Sequence, residues 1–438
     1  MPRRLLVLSA LAAAAPLLGA SPAAASRYVA VKGAPGPGPA RFDKVWTDRH
    51  GPARAKTVLV LIPGTNGGAG SVAPLAEALV DRVRGLQVWA FDRRGNAFED
   101  TSGFRGGDLA RARDQYLSFR FERTLAADVP FVADWGFATE MNDLRRVIRR
   151  ASDGGRHRVI LGGHSRGASS AVAYAAWDFA GRGGHEALDG LVLVDGGLGA
   201  FGPQGFTERQ ATDGLAEIRA GRLFTDPLGA GIPEAGPVFA ELLALHARLA
   251  PGERSPIQDH PLVPAALRPP FPVTNEAFLG YVLDRTTSPR SLAALHVRAG
   301  GLAATGDPRG WRDGEATPIQ RLARAFSREP GNAAEWYYPQ RLVLDTSAAN
   351  ALRRTPAADA LGLRLFHTRE INLPLFAYQT DLTGGGVLRG ARTLVRRSRI
   401  RRPALVDASA TTSHLDPVLG PAMVGTVVPF LRKVIRGR

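Results

Sequence analysis

The sequence contains no cysteine. That excludes disulfides, thiolate metal sites, a cysteine nucleophile and a lipidated N-terminal cysteine, so any chemistry must use other groups. Lysine is almost missing: only Lys32, Lys44, Lys56 and Lys433 occur, and arginine supplies the rest of the 56 basic residues. After the first twenty residues no apolar run reaches the roughly 20 residues of a membrane span. The net charge of +16 first suggests a polyanionic partner. The arginine bias, with heavy use of Ala, Gly and Pro, fits GC-rich coding better, and the basic pairs Arg93-Arg94, Arg145-Arg146, Arg149-Arg150 and Arg353-Arg354 are scattered. No nucleic-acid partner is therefore expected. The run Arg396-Arg397-Ser398-Arg399-Ile400-Arg401-Arg402 is dense, and it reads first as a solvated face, with weak contact to an anionic envelope surface as the alternative.

What is present suits a globular protein: 438 residues, 45% hydrophobic and 22% charged, with 50 Gly and 32 Pro. Arg3 and Arg4 precede an apolar stretch from Leu5 to Ala20, and small residues follow through Ser21-Pro22-Ala23-Ala24-Ala25. This order predicts a signal peptide over 1–25 and a secreted or extracytoplasmic mature protein with no integral membrane segment.

Thr57 to Ile62, Leu86 to Phe91, Arg158 to Gly162 and Leu191 to Val194 are short β-branched and aliphatic runs bounded by turn residues. They read as strands buried on both faces, with helical spacing between them at Val72, Leu75, Leu79 and Val83, and again at Phe137, Met141, Leu144, Val147 and Ile148. Alternating strands and helices predict an α/β fold with a mostly parallel sheet. From about Leu198 to Ile371 the alternation stops, leaving amphipathic helical patches and no convincing buried strand. It resumes at 373–379 and 403–406 and ends in an apolar helix through Val424, Val427, Leu431 and Val434. The expected organisation is a body over 26–197 and 372–438, interrupted by a helical cap over 198–371. Phe239, Leu242, Leu243, Phe278 and Tyr281 are candidates for roofing a pocket.

The sharpest signal is Gly163-His164-Ser165-Arg166-Gly167, directly after a predicted strand and before a predicted helix. A strand-turn-helix placement is what a strained turn presenting a nucleophilic serine requires, with glycines relieving clashes on either side. Ser165 then needs a base, and the base needs an acid to fix its tautomer. Among nine histidines, His414 follows the strand 403–406 on a loop before the last helix, so it is the expected base. Asp381, in the loop after the strand 373–379, is the preferred acid; Asp195, at the end of the strand 191–194, is the alternative. The Gly-rich segment Ile62-Pro63-Gly64-Thr65-Asn66-Gly67-Gly68 lies where one oxyanion donor is expected, which makes the backbone N–H groups of Thr65 and Arg166 candidates. It lacks the spacing of a phosphate loop. No metal ligand set and no cofactor is expected.

Together with Asp92-Arg93-Arg94-Gly95, Leu193-Val194-Asp195 and Ser413-His414-Leu415-Asp416, these motifs resemble the α/β-hydrolase fold family. The resemblance implies an eight-stranded, mostly parallel sheet flanked by helices, with a helical cap between strands six and seven. It implies a serine hydrolase cleaving a small-molecule or lipid-like ester through an acyl-enzyme on Ser165. A peptidase, amidase or acyltransferase on the same residues is the alternative, and a non-catalytic envelope-binding protein is the alternative of another class.

Overall fold

The computed structural model describes residues 26–201, 205–330 and 333–437. The expected signal peptide, 1–25, lies outside the described residues. Eight strands form one sheet: β1 (Arg27–Lys32), β2 (Lys44–His50), β3 (Thr57–Ile62), β4 (Leu86–Asp92), β5 (Arg158–His164), β6 (Gly190–Val194) and, after a separate hairpin of β7 (Gly300–Gly306) and β8 (Arg309–Asp313), β9 (Leu375–Gln379) and β10 (Ala404–Asp407). The spatial order is β1-β2-β4-β3-β5-β6-β9-β10. β1 and β2 run antiparallel to their neighbours, and the remaining pairs are parallel.

The central strands need no polar face, because helices cover both sides. Every residue of β3, β4, β6 and β9 is buried. Leu59 and Leu61 point into one core layer, with the helices Ala73–Arg82 and Val424–Arg436. Val58, Val60 and Ile62 point into the other, with the helices Phe137–Ser152, Arg166–Ala176 and Gly386–Arg397. The strand period of two thus splits one apolar run between two cores.

The segment between the sixth and seventh strands of the sheet holds the helices Glu208–Arg219, Ala235–Leu249, Asn275–Leu283, Ile319–Phe326, Gln340–Ala349 and Pro356–Ala360. It also carries the hairpin of β7 and β8. The β7–β8 hairpin is antiparallel and largely solvent-facing. Its Gly300-Gly301-Leu302-Ala303-Ala304 sequence has little β-propensity, and tertiary contacts hold it instead. Arg309 N–H donates to Pro272 O, Thr274 N–H donates to Arg309 O, and the Trp311 ring covers Gly280, where a Cβ would lie 2.6 Å from it.

Candidate active site

β5 runs straight into the helix Arg166–Ala176, and Ser165 sits between them at φ 53 and ψ −125. A side-chain-bearing residue rarely adopts this conformation, and holding it costs about 1–3 kcal/mol. The surroundings enforce it. Ser165 N–H donates to Val194 O at 2.8 Å. A Cβ at Gly163 would lie 2.1 Å from the Gly167 carbonyl carbon, and one at Gly167 would lie 2.1 Å from Ile62 O. Glycine at these two positions is what lets strand, turn and helix meet. Ser165 also heads the helix, where the free N–H groups of the first turn make the field positive.

One residue beyond Val194, Asp195 closes β6, also in the left-handed region at φ 43. This turns its carboxylate toward the loop before the last helix. His414 Nδ1 lies 2.6 Å from Asp195 Oδ2, and both residues are buried. Thr380 donates to the same carboxylate twice, from its N–H at 2.7 Å and from its hydroxyl. Burial pushes the Asp195 carboxyl up, but the hydrogen bond and charge of His414 and the bonds from Thr380 outweigh it and hold the group below its ordinary value. With Nδ1–H given to Asp195, the His414 nitrogen left to take a proton is Nε2.

The structure therefore corrects the preferred acid. Asp381 faces the insertion: it accepts from Ser413 Oγ at 3.0 Å and pairs with Arg285 at 3.0 Å. The runner-up, Asp195, holds His414. The His414 loop is fixed against the serine turn by His164, whose Nε2–H donates to His414 O at 2.9 Å. Its ring lies 4.5 Å from the His414 ring. Burial, then His414, pull the His164 imidazole down to about 3, so it stays neutral as a structural prop.

The loop 63–69 lies over the serine turn, close enough that a Cβ at Gly64 would approach Ser165 Cβ to 3.0 Å. Asn66 adopts φ 53, and its side chain is committed, accepting from Thr225 Oγ1 at 2.8 Å and donating to Glu335 O at 3.2 Å. Thr65 is exposed and lines a cavity of about 810 Å3. Ser291, Leu292 and Leu295 also line it, and the nearby His296 carbonyl accepts from Leu415 N–H at 3.1 Å. Leu223, Phe224 and Val343 line it together with the charged Arg123, Arg222, Asp226 and Glu234, whereas neither Ser165 nor His414 does. None of the five expected roof residues lines it. Leu242, Leu243 and Phe278 are buried inside the insertion, and Phe239 packs edge-on against Phe278.

Sequence reasoning missed a buried charge cluster beneath the loop. Arg93 donates to Pro63 O at 2.7 Å and to Gly67 O at 3.2 Å. It also pairs with Glu140 at 2.8 Å and with Glu335 at 3.1 Å. The Arg166 side chain turns away from the cavity to pair with Glu140 at 2.8 Å, leaving its backbone N–H as the group beside Ser165. Burial pushes the Glu140 carboxyl up, but Arg166 and Arg93 overcome this and bring it down to about 2. Glu335 has fewer cationic contacts, and burial pushes it up to about 7. Asp92 is likewise pushed to about 7 by burial, though it accepts from Tyr28, Asn96 and Ala69 N–H. The visible signal was the pair Arg93-Arg94 after a buried strand, which reads on its own as two surface charges. Among the described residues, no group of three His, Asp or Glu side chains is arranged to hold a metal ion, and no helix is long and apolar enough to cross a membrane.

Known structures share this architecture. A protein assigned as a lipase from Sulfolobus solfataricus superposes with a TM-score of 0.51 at 14% identity, over 94% of each chain. Looser likenesses include a thermophilic esterase from Thermogutta terrifontis (TM-score 0.41, 14% identity, 93% of this chain and 99% of that one). Another is an epoxide hydrolase from Vigna radiata (TM-score 0.43, 13% identity, 94% and 98%). The chain has the α/β-hydrolase fold. At these identities the likeness establishes the fold alone, and activity must be argued from the site. No protein-family profile and no curated protein sequence matches the chain.

Proposed function

We propose that the protein is an exported serine hydrolase that cleaves a carboxylic ester through an acyl-enzyme on Ser165. The observation that carries this reading is the 2.6 Å contact between His414 Nδ1 and Asp195, together with a serine held at φ 53 on a strand-to-helix turn, its N–H donating to the carbonyl of Val194, the residue before Asp195. In the proposed reaction Ser165 Oγ attacks the ester carbonyl while His414 Nε2 takes its proton. Asp195 keeps His414 in the required tautomer and stabilises the imidazolium. The negative oxygen of the tetrahedral intermediate is held by the backbone N–H groups of Thr65 and Arg166. His414 then delivers its proton to the departing alcohol, and water, activated by the same imidazole, releases the acid. A serine here does not suit epoxide or haloalkane opening, which uses a carboxylate nucleophile to form the ester with carbon.

Leu223, Phe224, Leu292, Leu295 and Val343, which share the lining of the cavity at Thr65 with charged residues, support an apolar acyl group, since each buried methylene contributes about 0.8 kcal/mol. Export rests on the charge and apolar pattern of residues 1–25. The test is hydrolysis of p-nitrophenyl esters from acetate to laurate by the protein and by Ser165→Ala, with a peptide p-nitroanilide alongside. The reading predicts ester turnover that Ser165→Ala abolishes. Faster turnover of the anilide would move the assignment to a peptidase.

A further inference from the structure

A second concave surface lies at the opposite end of the sheet from Ser165, where β9 and β10 begin. It is a groove of about 740 Å3 between the segment Arg399–Ala404 and the C-terminal helix Val424–Arg436. Four cations line it, Arg399, Arg401, Arg402 and Lys433, and no aspartate or glutamate does. Among the described residues none of the four side chains forms an ion pair, so nothing neutralises the charge they bring to the groove. Four like charges facing one concavity repel one another and concentrate a positive field there.

The basic segment is also built rather than loose. Ile400 is 5% exposed and packs in the core beneath it. Arg399 N–H donates to Ile371 O at 2.8 Å. Arg402 is held at φ 51, a left-handed conformation that arginine seldom adopts. The backbone is thus fixed so that charges on both sides of a buried isoleucine face the groove.

We propose that this groove binds a flexible, linear phosphate-bearing polymer and tethers the protein to it, leaving the cavity at Thr65 open. Three features define the ligand. The cations call for a multiply charged anion, and guanidinium groups suit phosphate oxygens in particular. The surface is concave, which admits a chain but not a flat bilayer. The ring that lines it, Phe430, is packed on Phe376 at 5.6 Å between centroids, so nucleic-acid bases find no stacking platform of the usual kind.

The test uses purified protein and inorganic polyphosphate of defined length, with binding measured over a salt series. Arg401→Ser/Arg402→Ser is compared with Arg149→Ser/Arg150→Ser, which removes the same charge from exposed positions on the helix Phe137–Ser152. Four contacts predict a slope of log affinity against log salt of about −3, at about 0.7 per phosphate neutralised on a flexible strand. The groove variant should lower affinity at least tenfold and reduce the slope to about −1.4. The helix variant should stay within twofold of the original, and Arg401→Lys/Arg402→Lys should keep the slope near about −3 but bind more weakly than the original, because ammonium groups lose the bidentate fit. Equal losses in the two serine variants would reduce the effect to net charge and overturn the proposal. So would tighter binding to phosphatidylglycerol vesicles or to single-stranded DNA than to polyphosphate. Neither result depends on the activity of Ser165.

Discussion

Two aspartates at the ends of neighbouring strands compete for one histidine, and backbone conformation decides between them. Asp195 sits at φ 43 with Thr380 donating twice to its carboxylate, whereas Asp381 is taken by Arg285 and Ser413. Asp195→Asn should therefore lower kcat by about a thousandfold or more, as expected when the histidine loses its tautomer and charge partner. Asp381→Asn should stay within a few-fold of the original protein. Steady-state ester hydrolysis by both variants checks this, and a larger loss in Asp381→Asn would return the acid to the later strand. Arg93 belongs to the same scale. Its guanidinium serves Pro63 O, Gly67 O, Glu140 and Glu335 together, a task the single ammonium of lysine cannot perform. Arg93→Lys is predicted to lower kcat about tenfold or more with little change in KM, because in the proposed reaction a displaced Thr65 loop harms the transition state more than ground-state binding.

At the scale of elements, the turn between β5 and its helix depends on glycines that touch backbone. Adding a methyl group at Gly167 drives it into Ile62 O, so Gly167→Ala should cost about 3 kcal/mol or more, beyond ordinary overpacking because the neighbour is backbone. Urea unfolding would measure it, and a loss below 1 kcal/mol would mean that the loop over the serine yields easily. The buried strands were legible because continuous Val, Ile and Leu runs between turn residues have few other solutions. So was the serine turn, whose glycine spacing reports its own geometry. The edge strand β1, beside a Gly/Pro-rich stretch, was not read, and neither was the hairpin β7–β8, whose residues have no local preference for strand. The acid was half legible: both candidates were visible, but the choice between them is made by Thr380, Arg285 and a left-handed φ, none of which leaves a periodic trace. Arg93 and Glu335 meet across 242 positions, and a buried pair of that separation has no signature along the chain.

For the whole molecule, the buried charges set how stability varies with pH, and two of them act in opposite directions. Glu140 is held at about 2 in the fold, below its ordinary 4.5. Its stabilisation is complete above about pH 4.5 and is lost as pH falls toward 2. At about 1.4 kcal/mol per unit this is on the order of 3 kcal/mol. Glu335 is raised to about 7, so the fold favours its neutral form, and stability drains away as pH rises from about 4.5 to 7. Denaturant unfolding of Glu335→Gln across this range should show the variant gaining on the original protein as pH increases. A Glu140→Gln variant should instead fall further behind as pH rises from 2 to 4.5. Parallel pH profiles for the original protein and both variants would contradict the charge balance described for the cluster.

The central claim is that Ser165 is a nucleophile in this α/β-hydrolase fold, activated by His414 and Asp195. Its most direct test is to react the purified protein with a fluorophosphonate and locate the adduct by peptide mass spectrometry. The account predicts a single phosphonyl group on Ser165, formed at a rate that His414→Ala reduces by at least roughly a hundredfold, in line with general-base contributions of 10²–10⁴. An unlabelled Ser165, or an adduct formed equally fast without His414, would contradict it.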